Sequence, residues 1–187
     1  MVWRAATGCQ VENTASFGPN VVSFLLILGA RQWYIVGAYM PPNDGPRMHC
    51  VEQALQAVPK GLELILMGSL NARLGDPRDE REEELVMALV DRGLVNMTDY
   101  FLPRIQYWGA GGWIWSMQRD ERQVTGRGDY ILSTDRRIFF NAWIWETRHG
   151  TDHRLILAVL WGEGVLCNRC CRRGRTHWPI RPKPIRP

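Results

Sequence analysis

No stretch of this sequence is long and apolar enough to cross a bilayer. The longest run, Val21 to Ala30, contains Ser23 and Gly29 and falls well short of the about 20 residues a spanning helix needs. The N-terminus lacks a basic region followed by an apolar segment, so no secretory signal is read there and an intracellular setting is the default. An even cysteine count is missing too: five cysteines without such a signal argue against a disulfide framework. No internal repeat is visible, which sets aside the repeat architectures. Acid is absent from Val165 to Pro187, where seven cations lie: Arg169, Arg172, Arg173, Arg175, Arg181, Lys183 and Arg186.

That last absence divides the net charge of +4 unequally. Residues 1–164 hold 16 cations against 19 acids, a net of −3, so the basic character belongs to the tail. With 187 residues, 45% of them hydrophobic, the chain can bury one sizeable core. The expected organisation is one domain over 1–164 and a disordered Arg/Pro-rich segment over 165–187. In that tail Cys167, Cys170 and Cys171 with His177 offer part of a zinc site, since thiolates two residues apart can share a metal. The spacing completes neither finger nor knuckle, and reduced thiols are the expectation. Arg169, Arg172, Arg173 and Arg175 are candidates for neutralising nucleic-acid phosphates. Arg-rich patches also serve as nuclear addresses, although prolines interrupt this one.

Along the chain, Val11 to Asn13 reads as the end of a strand, followed by turn residues from Ser16 to Asn20. Val21–Leu28 and Gln32–Tyr39 read as two strands joined through Gly29-Ala30-Arg31, and Pro41 to Pro46 ends the second. A short helix from about Met48 to Val58 leads to Leu62–Met67, an apolar run bounded by Gly61 and Gly68 that suits a strand buried on both faces. For the next helix, Asp76 is the expected N-cap, with Pro77 at the first helical position. Asp79, Glu80, Glu82, Glu83 and Glu84 favour the positive end of its dipole, and Gly93 is a C-terminal stop. Those acids read as a solvated face rather than a metal site. Gly109 to Gly112 is a loop or hairpin turn between aromatic pairs that read as packing rather than base stacking. Tyr130–Ser133, Arg137–Trp145 and Arg154–Trp161 read as further strands. Strands alternating with helices, then a strand-rich second half, indicate an α/β protein. In such sheets ligands collect beyond the carboxyl ends of strands, which draws attention to Ser69 and Asn71.

Four short motifs then converge. Gly68-Ser69-Leu70-Asn71 resembles the Gly-Asp-Phe/Leu-Asn signature of the endonuclease/exonuclease/phosphatase family, with Ser69 in place of Asp. Tyr39-Met40-Pro41-Pro42, Gly128-Asp129-Tyr130-Ile131-Leu132 and Thr151-Asp152-His153 stand in that family's order, the last being similar to its Ser-Asp-His. Gly18 to Val22, Trp33 to Tyr39 and Arg148-His149 narrow the resemblance to endonuclease domains of non-LTR (LINE-type) retrotransposons, over about Val11 to Leu160.

The resemblance implies a four-layered sandwich, two mixed β-sheets face to face with helices outside, and a site at one end. It implies magnesium as cofactor, DNA as partner, and association with a reverse transcriptase of the same element. Asp152 would be the metal ligand and His153 would contact the scissile phosphate. Asp129 would accept a hydrogen bond from His153, Asn71 would stabilise the transition state through its amide, and Tyr39 would donate its hydroxyl to the phosphate. Taken singly, Asn71 reads as a turn cap, Tyr39 as a packed residue, and Asp152-His153 as a loop pair; together, in family order, they read as a site. Ser69 is a departure, since a neutral hydroxyl is a poor general base. The family's earlier Asn and Glu ligands precede anything present here. The expectation is therefore a degenerate domain without its first strands, impaired as an enzyme, or a non-catalytic nucleic-acid-binding remnant that relies on its tail.

Overall fold

The computed structural model describes residues 9–41, 48–101, 115–119, 122–126, 128–144 and 156–160. Its centre is a six-stranded mixed sheet whose strands lie in the spatial order Cys9–Ser16, Val21–Leu28, Arg31–Tyr39, Glu63–Ser69, Asp129–Ser133 and Val95–Asn96. Strands β1 (Cys9–Ser16), β2 (Val21–Leu28) and β3 (Arg31–Tyr39) form an antiparallel meander. The β2–β3 turn is tight: Leu28 pairs with Arg31, and Gly29 supplies a φ of 61°. Helix α1 (Met48–Gln56) then carries the chain over to β4 (Glu63–Ser69), which pairs parallel to β3. Helix α2 (Glu80–Asp91), strand β5 (Val95–Asn96) and the single turn α3 (Met97–Tyr100) follow. After the hairpin β6 (Trp115–Arg119) and β7 (Arg122–Gly126), strand β8 (Asp129–Ser133) returns antiparallel to β4. Strands β9 (Phe139–Ile144) and β10 (Ile156–Leu160) form a separate antiparallel pair.

The continuous apolar run of β4 is explained by what lies on its two sides. Leu64 and Leu66 join a cluster with Val51, Ala54 and Leu55 of α1 and with Leu85 and Leu89 of α2. Ile65, between them, joins a different cluster with Phe101, Phe139 and Ala142, against which Ile156, Ala158 and Leu160 of β10 also pack. A strand covered on both faces must be apolar at every position, and each of these three side chains contributes about 1.5–3 kcal/mol by leaving water. Residues of α1 and α2 therefore pack on one face of β4 and residues of the β9–β10 pair on the other. The apolar positions of α1 and α2 recur at spacings of three and four, as a one-faced helix requires. Arg92 joins the two helices by donating from Nη1 to the Leu55 carbonyl.

Strand β1 is different. It lies at the sheet edge, its residues are mostly exposed, and its pairing with β2 shifts between Glu12 and Ala15, where Asn13 has a φ of 51°.

Three local expectations need correction. The N-cap of α2 is Asp79, not Asp76: its backbone is extended and its carboxylate accepts from the Glu82 N–H at 2.9 Å. Asp79 is preferred because it puts Glu82 at the third helical position, where its carboxylate reaches back to the Arg78 N–H at 2.8 Å. Glu82 is consequently buried, at 4% exposure, and is not part of a solvated face. The segment expected as a strand from Arg137 opens instead with a 3-10 turn, Arg136–Ile138, because Asp135 caps it by accepting from the Arg137 N–H and guanidinium. At the other end of α2 the Gly93 stop takes Schellman form: Gly93 donates to Val90 and Leu94 to Leu89, with Gly93 at φ 68°. The β6–β7 hairpin follows the Gly109–Gly112 turn region, which lies outside the described residues, as do the tail cysteines.

Candidate active site

Register brings three of the motif residues together. Tyr39 at the end of β3 pairs with Ser69 at the end of β4, and Ser69 pairs with Asp129 at the start of β8. A hydroxyl, a second hydroxyl and a carboxylate thus form one row across three neighbouring strands. Backbone hydrogen bonds close the row: Met40 N–H donates to the Ser69 carbonyl at 2.8 Å, and Leu70 N–H to the Gly128 carbonyl at 2.7 Å. Asn71 follows directly. Its N–H donates to Gly128 at 3.2 Å and its Nδ2 to the Met40 carbonyl at 2.6 Å, which lashes the exit of β4 to the exit of β3.

The glycine that opens the Gly-Ser-Leu-Asn motif has a steric reason. Gly68 has a φ of 140°, and a Cβ there would stand 1.9 Å from the Ala38 carbonyl oxygen on β3. Any side chain would drive the two central strands apart where the row is built. Asn71 is also left-handed, at φ 46°, a conformation asparagine tolerates better than most residues.

Exposure sorts the row. Tyr39 is half exposed, at 50%, while Ser69, Asn71 and Asp129 are partly buried. The Ser69 hydroxyl is itself buried and has no hydrogen-bond partner among the described residues. Behind the row, the buried Tyr130 donates its hydroxyl to the Ala72 carbonyl at 2.7 Å and accepts from the Leu74 N–H at 3.4 Å. Sequence reading noticed Tyr130 only as part of a motif; its work is to pin the loop after β4. Arg78 adds a second tie from the α2 side, through Nη2 to the Asn71 carbonyl at 3.4 Å.

The donors gathered here are oxygens and an amide, the kind a hard cation such as magnesium takes. One carboxylate is present in the row, and no group of three His, Cys, Asp or Glu side chains gathers among the described residues. Asp152 and His153, expected as metal ligand and phosphate contact, lie outside the described residues, as do Arg169, Arg172, Arg173 and Arg175.

Solved structures decide the fold. The endonuclease domain of TRAS1, a telomere-specific non-LTR retrotransposon, superposes with a TM-score of 0.63 at 16% identity, over 81% of this chain and 69% of that one. This chain has the endonuclease/exonuclease/phosphatase fold. An endonuclease/exonuclease/phosphatase family protein from Leptotrichia buccalis C-1013-b shares it with a TM-score of 0.52 at 14% identity, over 75% of this chain and 53% of that one. D. rerio TDP2, solved with a single-strand DNA product, does so with a TM-score of 0.54 at 14% identity, over 79% of this chain and 67% of that one. This chain therefore spans about half of the Leptotrichia structure. No family model matches the sequence, and no curated protein matches it. The motif resemblance and the structural neighbours agree on the endonuclease/exonuclease/phosphatase fold, which is α/β with a mixed sheet and a second, smaller one. No helix among the described residues is long and apolar enough to cross a membrane.

Proposed function

We propose that the chain is a magnesium-dependent phosphodiester hydrolase domain, a DNA endonuclease of retrotransposon type, impaired by Ser69. The observation that carries this reading is the row Tyr39–Ser69–Asp129, with Asn71 at its end, in a fold shared with a retrotransposon endonuclease. Hydrolysis of a phosphodiester needs a positioned water, a proton acceptor and stabilisation of charge on the phosphoryl oxygens. Tyr39 would orient the phosphate through its hydroxyl, and Asn71 would donate the remaining hydrogen of its amide to a phosphoryl oxygen. Asp129 would hold the imidazole of His153 against the scissile phosphate by accepting its second N–H.

Asp152 and His153 lie outside the described residues, and the reading of them as site residues rests on the Thr151-Asp152-His153 motif. Magnesium, held by Asp152, would supply positive charge against the phosphoryl oxygens. Ser69 is the weak point: a hydroxyl that is neutral at physiological pH cannot take the proton an aspartate could, and a loss of about a hundredfold or more follows. DNA is the proposed substrate, and a reverse transcriptase of the same element the proposed partner.

Nicking of supercoiled plasmid in magnesium tests this reading. Turnover above background that His153→Ala abolishes supports it, and equal traces from both proteins reject the site. Ser69 in the motif's Asp position and the acid-free basic tail favour a second reading, non-catalytic nucleic-acid binding, in which the domain 1–164 contributes little and the tail 165–187 neutralises phosphates. It requires salt-sensitive, sequence-independent binding that vanishes when residues 165–187 are deleted; binding unchanged by the deletion rules it out.

A further inference from the structure

The least comfortable backbone at the row is that of Asn71, and most of its ties come from the sheet. Its N–H is fixed by Gly128 and its side-chain amide by Met40. Its carbonyl points the other way, toward the start of α2, and is met there by Nη2 of Arg78. Glu82 holds Arg78 through three contacts. The Glu82 carboxylate accepts from Arg78 Nε at 2.8 Å and pairs with Nη2 through the same oxygen, while its other oxygen accepts the Arg78 backbone N–H at 2.8 Å. Glu82 is in turn set by Asp79, which accepts its N–H at 2.9 Å. A buried carboxylate, a planar guanidinium and the Asn71 carbonyl are therefore linked in one hydrogen-bonded chain from helix to site.

We propose that Arg78, anchored by the buried Glu82, is a positioning residue that holds Asn71 in the left-handed conformation from which its amide serves the site. The inference rests on the reading of Asn71 as a site residue. Two other roles fit less well. A phosphate-binding role would need free positive potential, whereas Arg78 sits among Asp76, Asp79, Glu80, Glu82 and Glu83 and is already paired with Glu82. A purely local helix-capping role would need no contact beyond α2, yet the same nitrogen that binds Glu82 reaches back seven residues to the Asn71 carbonyl. Only arginine suits the bridge: its fork presents Nε and Nη2 together, while a lysine has one point charge and would satisfy one acceptor at the expense of the other.

Hydrogen exchange of the full chain, followed residue by residue by NMR without DNA or metal, tests the proposal. Arg78→Lys should speed exchange of the Asn71 backbone amide by about fivefold or more, the size expected for losing one supporting hydrogen bond, and shift the Asn71 side-chain amide resonances. The Met40 amide, which is bonded to Ser69, should stay as in the parent. If Arg78→Lys fails to fold, Glu82→Gln, which keeps the acceptor oxygen and removes the charge that orients the fork, should produce the same local change. Unchanged exchange and resonances at Asn71, or acceleration at Asn71 no greater than at the Glu83 amide in the first turn of α2, would overturn the proposal. In plasmid nicking, Arg78→Lys should lower kcat with little change in KM. Absence of nicking in the parent chain would count against the nuclease reading alone, because the exchange result does not depend on turnover.

Discussion

Replacing Gly68 by alanine perturbs the two strands on which the candidate site stands. The added methyl would sit 1.9 Å from the Ala38 oxygen, 2.9 Å from its carbonyl carbon and 3.1 Å from its nitrogen. All three are backbone atoms of a central strand, so no rotamer change relieves the clash. Real side-chain carbons do not come within 3.0 Å of such atoms, and the strands must part by about 1 Å. That stretches the neighbouring ladder bonds past useful length, at about 1 kcal/mol each. Alanine at a φ of 140° adds about 1–3 kcal/mol of backbone strain. The sum, about 3–5 kcal/mol, is a large share of the about 5–15 kcal/mol that holds a typical domain together. Equilibrium unfolding in urea, followed by intrinsic tryptophan fluorescence, measures it. Gly61→Ala is the control: its φ is 83°, but nothing lies within 4 Å of its added Cβ, so it carries strain without clash. If Gly68→Ala costs no more than Gly61→Ala, the steric account of the motif glycine is wrong.

Two further outcomes follow from the same contacts. Burial pushes the Glu82 carboxyl up, but hydrogen bonds from the Arg78 guanidinium and backbone outweigh it and hold the group below the ordinary glutamate value. A depressed folded value stabilises the protein fully above the ordinary value of 4.5, and that stability is lost as pH falls through the lower folded value. Glu82→Gln should therefore lower the neutral-pH melting temperature and flatten its decline in acid; an unaltered acid limb refutes the linkage. Ser69→Asp places a second carboxylate directly across the ladder from Asp129 and should cost up to about 1 kcal/mol without metal. Magnesium should restore the melting temperature by binding only the folded form. A variant whose melting point ignores magnesium would argue against a cation at this row.

Part of the sheet is legible from sequence because β2 and β4 are largely apolar runs with sharp ends. Val21–Leu28 and the run to Met67 stop at Gly29 and Gly68, and runs this short without a one-faced helical spacing favour strands. The row itself is not legible from periodicity. Tyr39, Ser69 and Asp129 meet only through one parallel and one antiparallel register, and nothing local encodes which residue pairs with which across such separations. Short motifs found it instead. Local chemistry also misled at the opening of α2: Asp76-Pro77 reads as the helix start, yet of the two aspartates three residues apart the structure uses the second, Asp79. Tertiary contact settles the matter, since only the second lets Glu82 sink beneath the surface with Arg78 on top of it. Tyr130 was legible as a motif member, yet its grip on Ala72 and Leu74 depends on a loop folding back over β8.

The outer strand β1 ends the large sheet with a misfit. Between Glu12 and Ala15 its pairing slips, and Asn13 turns the backbone out of plane. A second molecule sliding alongside would meet a kinked margin carrying Glu12 rather than a straight run of waiting amides and carbonyls. A break of this kind works against lateral pairing along that side, because an added strand could not keep its hydrogen bonds in step past Asn13.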